Sequence, residues 1–137
     1  MKLSPYLSFN GQCEAAFKFY EKSLGGKIVY MMTWGASPLA AQAPPDWGQK
    51  IVHCTFSVGG QILAGADAPP GQYRKPQGIC VTFETGDAAE ADRVFAALSE
   101  NAEVQMPIQE TFWALRFGVL TDQFGTPWII NCGKPPA

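Results

Sequence analysis

Residues 3–24 read LSPYLSFNGQCEAAFKFYEKSL, and residues 77–98 read QGICVTFETGDAAEADRVFAAL. In the first stretch Leu3, Pro5, Leu7 and Phe9 alternate with Ser4, Tyr6 and Ser8, which is the period of a strand. Asn10-Gly11 breaks that strand. From Cys13 the apolar positions Cys13, Phe17, Tyr20 and Leu24 recur at spacings of four, three and four, one face of a helix. Gly25-Gly26 ends the helix, because glycine takes the left-handed cap without a steric penalty. The second stretch repeats the order. Ile79–Glu84 alternates as a strand, Asp87 with Glu90 three residues on is a helix N-cap signature, and Ala91, Val94, Phe95 and Leu98 form an apolar helix face. A shift of 74 residues lays Leu7 on Val81, Phe9 on Phe83, Ala15 on Ala89, Tyr20 on Val94, Leu24 on Leu98, Tyr30 on Val104 and Met32 on Met106. All seven pairs are apolar on apolar, the mark of an internal repeat.

Outward from these stretches the pattern continues in both halves. Lys27–Trp34, Lys50–Val58 and Gln61–Ala66 read as strands, with a Pro/Ala-rich loop at 35–48 and a turn at Gly59-Gly60. In the second half, strands are expected at Glu103–Gln109, Phe112–Thr121 and Thr126–Cys132, with a turn at Asp122-Gln123-Phe124-Gly125. The simplest architecture is one α+β domain over 1–137, a duplicated βαβββ unit with modules at about 1–67 and 77–133. Helices are expected near 13–24 and 87–99.

The chain has 137 residues, 47% hydrophobic and 16% charged, so it is long enough and apolar enough to fold around a core. A net charge of −2 with no Lys/Arg run argues against nucleic acid and against an anionic membrane surface. No stretch reaches the roughly 18 apolar residues of a membrane helix, and residues 1–9 do not form a signal peptide, so cytoplasm is the default expectation. Cys13, Cys54, Cys80 and Cys132 lack C-x-x-C spacing, and three lie in apolar strand-like runs. They read as small buried hydrophobes rather than as a zinc or disulfide set.

Several motifs carry a resemblance. Pro5-Tyr6-Leu7-Ser8-Phe9-Asn10-Gly11, Cys13-Glu14-Ala15-Ala16 with Phe19-Tyr20, Glu110-Thr111-Phe112-Trp113-Ala114, and Arg116-Phe117-Gly118 followed by Asp122 to Asn131 resemble PhnB-like proteins of the vicinal oxygen chelate (glyoxalase-type) superfamily. The resemblance implies eight strands curving, mostly antiparallel, around a cavity with helices outside, and a homodimer. Metal-dependent members hold a divalent ion with four strand positions filled by His and Glu. Here the resemblance places those positions on Ser4, the Gln61–Ala66 strand, Gly78 and Ile129, none of which is His, Asp or Glu. Neither a metal nor another cofactor is therefore expected. A methyltransferase label has been attached to such relatives, but no strand–Gly-loop–helix start for S-adenosylmethionine is present.

Alternation sorts the strand faces. Trp113, Leu115, Phe117 and Val119 form a bulky apolar set expected to pack on a helix, leaving Ala114, Arg116, Gly118 and Leu120 on an open face. Val52, Cys54, Phe56 and Val58 are expected under the other helix, leaving His53, Thr55 and Ser57 open. Ser4, Tyr6 and Ser8, with Gly78, Cys80, Thr82, Ile129 and Asn131, are assigned to open faces too. The expected ligand residues are Tyr6, His53, Arg116 and Asn131 around one cavity, over a floor of Ala114, Gly118, Gly78 and Thr82. Each has a structural alternative: Arg116 as the partner of a carboxylate such as Glu110, His53 as a satisfied core residue, Asn131 as a backbone tie, Tyr6 as packing. Three functions stay open: a small-molecule binder or metal-independent enzyme for an anionic or polar-aromatic ligand; a metal-dependent lyase, isomerase or dioxygenase with an unusual ligand set; and a resistance-type sequestering protein with tryptophan walls.

Overall fold

The structure is a computed structural model that describes residues 1–135, and it divides into two compact units, Met1–Lys75 and Pro76–Ala137. The first unit runs β1 (Tyr6–Phe9), α1 (Cys13–Leu24), β2 (Lys27–Thr33), β3 (Ile51–Val58) and β4 (Gln61–Asp67), with one 3₁₀ turn at Ala40–Gln42 inside the 35–48 loop. The second runs β5 (Val81–Glu84), α2 (Ala88–Leu98), β6 (Glu103–Gln109), β7 (Ala114–Thr121) and β8 (Pro127–Gly133). Each is βαβββ, so the expected α+β class and duplicated order are found. The strands divide equally into two four-stranded mixed sheets, ordered β1-β4-β3-β2 and β5-β8-β7-β6. In each, the first strand pairs parallel with the last and the other pairings are antiparallel. Among the described residues no helix is long and apolar enough to cross a membrane.

The helices form where their apolar spacing puts one face on a sheet. Cys13, Ala16, Phe17, Tyr20 and Leu24 of α1 are buried, as are Ala91, Val94, Phe95 and Leu98 of α2. Gly25 closes α1 in the left-handed region at φ 80°, its N–H donating to the Glu21 carbonyl. At its start α1 has no side-chain cap of its own. The buried Asp67 supplies one from β4: Oδ1 accepts from the Cys13 N–H at 2.9 Å, and Oδ2 accepts from the Ile51 N–H at 2.8 Å. For α2 the expected cap is present, with Asp87 Oδ1 accepting from the Ala89 N–H at 3.0 Å. Glu90 closes the motif through an intermediary. It accepts from the Thr85 hydroxyl, which in turn accepts from the Asp87 N–H.

A phenylalanine from each helix lands on a glycine of its sheet. A Cβ on Gly65 of β4 would stand 3.0 Å from Phe17 Cε2, and one on Gly118 of β7 would stand 2.5 Å from Phe95 Cε2. This fixes which sheet face carries the helix. In the first unit it is the face of Leu7, Phe9, Cys54, Phe56, Leu63 and Gly65, as the alternation implies. In the second it is Gly118, Leu120, Trp128, Ile130 and Cys132.

The assignment of β7 is thus inverted relative to the sequence expectation. Over Arg116–Leu120 alternation gave the two residue sets correctly but not their direction, and a register shift between Ala114 and Arg116 interrupts the alternation before that. Gly118 is small because the Phe95 ring needs the space, not because a ligand does. Phe117 and Val119, in register with Asn131 and Ile129, turn to the helix-free side, and the Trp113 ring packs on Phe117. Strand β5 starts at Val81, so Gly78 and Cys80 precede the sheet, and Cys80 is exposed rather than buried. Cys13, Cys54 and Cys132 are buried, and a hydrogen bond from Cys13 to Cys54 holds the Cys13 thiol far above its ordinary pKa.

The Asp122–Gly125 turn shows what its motif does. Buried Asp122 accepts from the N–H groups of Phe124 and Thr126 at 2.8 and 3.0 Å through Oδ1. Its Oδ2 accepts from the Trp128 indole N–H at 2.8 Å, so one carboxylate closes the hairpin and seats a fully buried tryptophan. Two outcomes follow for chemical denaturation. Gly118→Ala is expected to cost about 1–3 kcal/mol by overpacking, whereas Gly133→Ala, where nothing lies within 4 Å, stays within about 0.5 kcal/mol of the parent. Asp122→Ala leaves three donors without their acceptor and is expected to cost more than about 3 kcal/mol.

Candidate functional site

On the helix-free face of the first sheet, register places Tyr6 beside Ala64, Ala64 beside Thr55, Thr55 beside Tyr30, and His53 beside Met32. Ala64 itself is buried, and aromatic groups gather beside it on this face. The Tyr6 and His53 rings stack at 5.8 Å between centroids with 22° between planes. Tyr30 lies 6.0 Å from His53 at 48°, and its hydroxyl donates to Met32 Sδ at 3.6 Å.

Both imidazole nitrogens are engaged. His53 Nδ1 lies 3.1 Å from Tyr6 Oη, and Nε2 lies 3.1 Å from Thr55 Oγ1. A neutral imidazole donates through one nitrogen and accepts through the other, while each hydroxyl takes either role. The three groups therefore form a chain along which proton positions can be exchanged between Thr55 and Tyr6. Tyr6 is the accessible end, at 57% exposure. Its partial burial raises the phenol above its ordinary pKa of 10.0. The face has no carboxylate. Of the acidic side chains in this unit, Glu14 and Glu21 belong to α1, Asp46 to the loop, and Asp67 lies buried beneath the helix.

Of the expected ligand residues, Tyr6 and His53 belong to the first unit, Arg116 and Asn131 to the second. Tyr6 and His53 do meet. In the second unit Arg116 and Asn131 point to opposite faces: Arg116 pairs with Cys132 on the helix side, and Asn131 pairs with Phe117 on the free side. The Arg116 guanidinium Nε donates to Asp92 Oδ1 of α2 at 2.9 Å, and Nη1 donates to the Leu115 carbonyl at 3.1 Å. The partner is Asp92, not Glu110, which pairs with Lys134 at 3.3 Å. Gly118 is under α2 and forms no open floor. Thr82 keeps its expected face, in register with Ile129. Asn131 Oδ1 is buried without a hydrogen-bond partner. Tyr30 and Met32 were missed in the sequence. The alternation of Lys27–Trp34 held the signal, but pairing to His53 and Thr55 is needed to orient it.

The donor set does not suit the divalent ion of metal-dependent glyoxalase-type proteins. Ser4 and Gly78 lie outside the strands, and Ile129 has no donor side chain. The single carboxylate of β4, Asp67, is turned beneath α1 and spent on two backbone N–H groups. Among the described residues no three His, Cys, Asp or Glu side chains converge to hold an ion.

The chain is 35% identical to Protein YjdN of Escherichia coli (strain K12), over 98% of this chain and 97% of that one. Its fold matches the crystal structure of protein PA1353 from Pseudomonas aeruginosa with a TM-score of 0.90 and 40% identity, covering 98% and 99% of the two chains. It also matches a structure from Bacillus cereus described as a putative 3-demethylubiquinone-9 3-methyltransferase, PhnB protein. There the TM-score is 0.82 and the identity 22%, over 97% of this chain and 100% of that one, a likeness of fold. Residues 2–130 match the family model of the Glyoxalase/Bleomycin resistance protein/Dioxygenase superfamily, and the chain belongs to that superfamily.

Proposed function

We propose that this chain is a small-molecule-binding protein of the PhnB-like kind, with an anionic or polar-aromatic ligand resting on Tyr6, Tyr30 and His53. The observation that carries this reading is the Tyr6–His53 stack. An aromatic pair joined by a hydrogen bond, with the tyrosine mostly exposed, offers a π surface and two polar groups at one place. The absence of carboxylates from that face removes a barrier to anions, and Lys27, in register with Ser57, adds a positive charge at one end of it.

A metal-independent reaction is the second reading, and the Thr55–His53–Tyr6 chain favours it. Such a chain can take a proton from a bound ligand at the Tyr6 hydroxyl while that hydroxyl passes its own proton to Nδ1. The proton then rests on His53 as an imidazolium whose Nε2–H donates to Thr55. No step in this reading needs an ion. Arg116 has no part in either, because its fork serves Asp92.

Salicylate, an aromatic anion, is a suitable probe. Thermal denaturation is expected to show saturable stabilisation, about 2.7 kcal/mol when salicylate is a hundredfold above its Kd. The gain should be lost in Tyr6→Ala and His53→Ala, while benzyl alcohol gives a smaller effect. Equal stabilisation of parent and variants would contradict the assignment. A titration adds a check on local geometry. Because the folded-state pKa of Tyr6 is raised, its contribution to stability is complete below the ordinary phenol value and is lost as pH rises through the folded value. The difference in ultraviolet absorbance between the parent and Tyr6→Phe should therefore show one phenol ionising above pH 10.0. Ionisation at or below it would show that the hydroxyl is not packed against His53.

A further inference from the structure

Asn10-Gly11 is the one Asn-Gly step in the chain; Asn101 and Asn131 precede Ala102 and Cys132. It joins β1, which ends at Phe9, to α1, which starts at Cys13. The connection needs glycine there, because Gly11 sits in the left-handed region at φ 90°. Asn10 is therefore followed by a residue with no side chain to hinder attack by its backbone nitrogen.

The surroundings make that step reactive. Asn10 is exposed, and among the described residues nothing hydrogen-bonds its side-chain amide. The Gly11 N–H likewise has no acceptor among the described residues. Lys50 sets a positive charge against the same turn, its ammonium donating to the Gly11 carbonyl at 2.9 Å. A Cβ on Gly11 would stand 3.4 Å from Lys50 Cε and from Trp47 Cη2, so the lysine stem and the indole lie directly over the glycine. The Trp47 ring, 5.8 Å from Lys50 Nζ, helps to hold the ammonium there.

We infer that Asn10 is a self-modification site, which Lys50 assists in converting to aspartate and isoaspartate. The Gly11 nitrogen loses its proton, attacks Asn10 Cγ and forms an N–Cγ bond. The bond from Cγ to the amide nitrogen breaks, and ammonia leaves with that proton. Water then opens the cyclic imide. Cleavage of the new N–Cγ bond gives aspartate. Cleavage between the Gly11 nitrogen and the Asn10 backbone carbonyl gives isoaspartate, with the main chain rerouted through Cβ and Cγ. The Lys50 charge favours the first step by stabilising the deprotonated nitrogen.

The two products act differently on the fold. Both add a negative charge to the turn that Lys50 holds. Only isoaspartate adds a backbone atom, and it does so in a connection clamped at both ends. The Phe9 carbonyl accepts from the Ala68 N–H at 2.8 Å, and the Cys13 N–H donates to the buried Asp67 at 2.9 Å. Residues 10–12 must absorb the added length, which makes the isoaspartyl form the less stable one. None of the residues proposed to hold a ligand takes part.

The test is to age the folded protein at mildly alkaline pH and follow each asparagine by peptide mapping. Asn10 should be lost to two acidic products while Asn101 and Asn131 stay intact. An isoaspartyl O-methyltransferase with labelled S-adenosylmethionine should label the aged parent and not Asn10→Gln, whose longer side chain cyclises far more slowly. Lys50→Met should slow the conversion several-fold, as loss of a charge near the reacting nitrogen implies, and Lys50→Arg should restore it. Separated by ion exchange, the isoaspartyl form should denature before the aspartyl form. The inference is overturned if Asn10 stays intact in the folded protein under conditions that convert a peptide of residues 6–15. Conversion in Lys50→Met at or above the parent rate, or loss of Asn101 as fast as Asn10, also overturns it.

Discussion

A phenylalanine ring seated on a glycine orients each half of this protein. Phe17 of α1 lies on Gly65 of β4, and Phe95 of α2 lies on Gly118 of β7. The two glycines are not equivalent positions of the repeat, yet they solve one problem. An aromatic ring reaches the sheet backbone only where a side chain is missing, so the glycine selects the face the helix covers. Everything on the opposite face is then released from packing. Two buried carboxylates hold the ends of the arrangement. Asp67 ties the start of α1 to the start of β3, and Asp122 ties the β7–β8 turn to the indole of Trp128.

The released faces have different chemistry, and the proposed function rests on that of the first unit. In the first unit the free face gathers Tyr6, Tyr30, His53 and Thr55 over Ala64, with all of its unit's carboxylates elsewhere. In the second it carries Thr82, Phe117, Val119, Ile129 and Asn131. The superfamily to which the chain belongs spans resistance proteins and dioxygenases, so fold membership alone selects no activity. What narrows the choice is the donor set. The one carboxylate that β4 offers is consumed in capping α1, which leaves aromatic and hydroxyl chemistry on the face beyond it.

Much of the fold was legible in the sequence because it rests on local patterns. The four-three-four spacing from Cys13, the Gly25 stop, and the Asp87 cap specify both helices to within a residue or two. The first sheet's faces were legible too, since Cys54 and Phe56 are apolar while His53 and Thr55 are not. In β7 the same logic failed. There the bulky set of Leu115, Phe117 and Val119 outweighs Ala114 and Gly118 in hydrophobicity, and hydrophobicity suggested burial under the helix. The deciding fact was a size match with Phe95, a residue 23 positions away in the chain, and no period reports it. The consequence reached the site. Arg116 moved to the helix side and into a pair with Asp92, while Phe117 moved to the free side.

The direction of β7 decides which side chains the second sheet presents on its helix-free face, and nuclear Overhauser effects measure that direction. With Phe95 over Gly118, the Gly118 Hα protons should show cross-peaks to the Phe95 ring and strong ring-current shifts, and the Phe117 ring should show cross-peaks to Trp113 and none to α2. Cross-peaks from the Phe117 ring to Val94 or Phe95, with an unshifted Gly118, would place the helix on the other face. They would also return Arg116 to the open side.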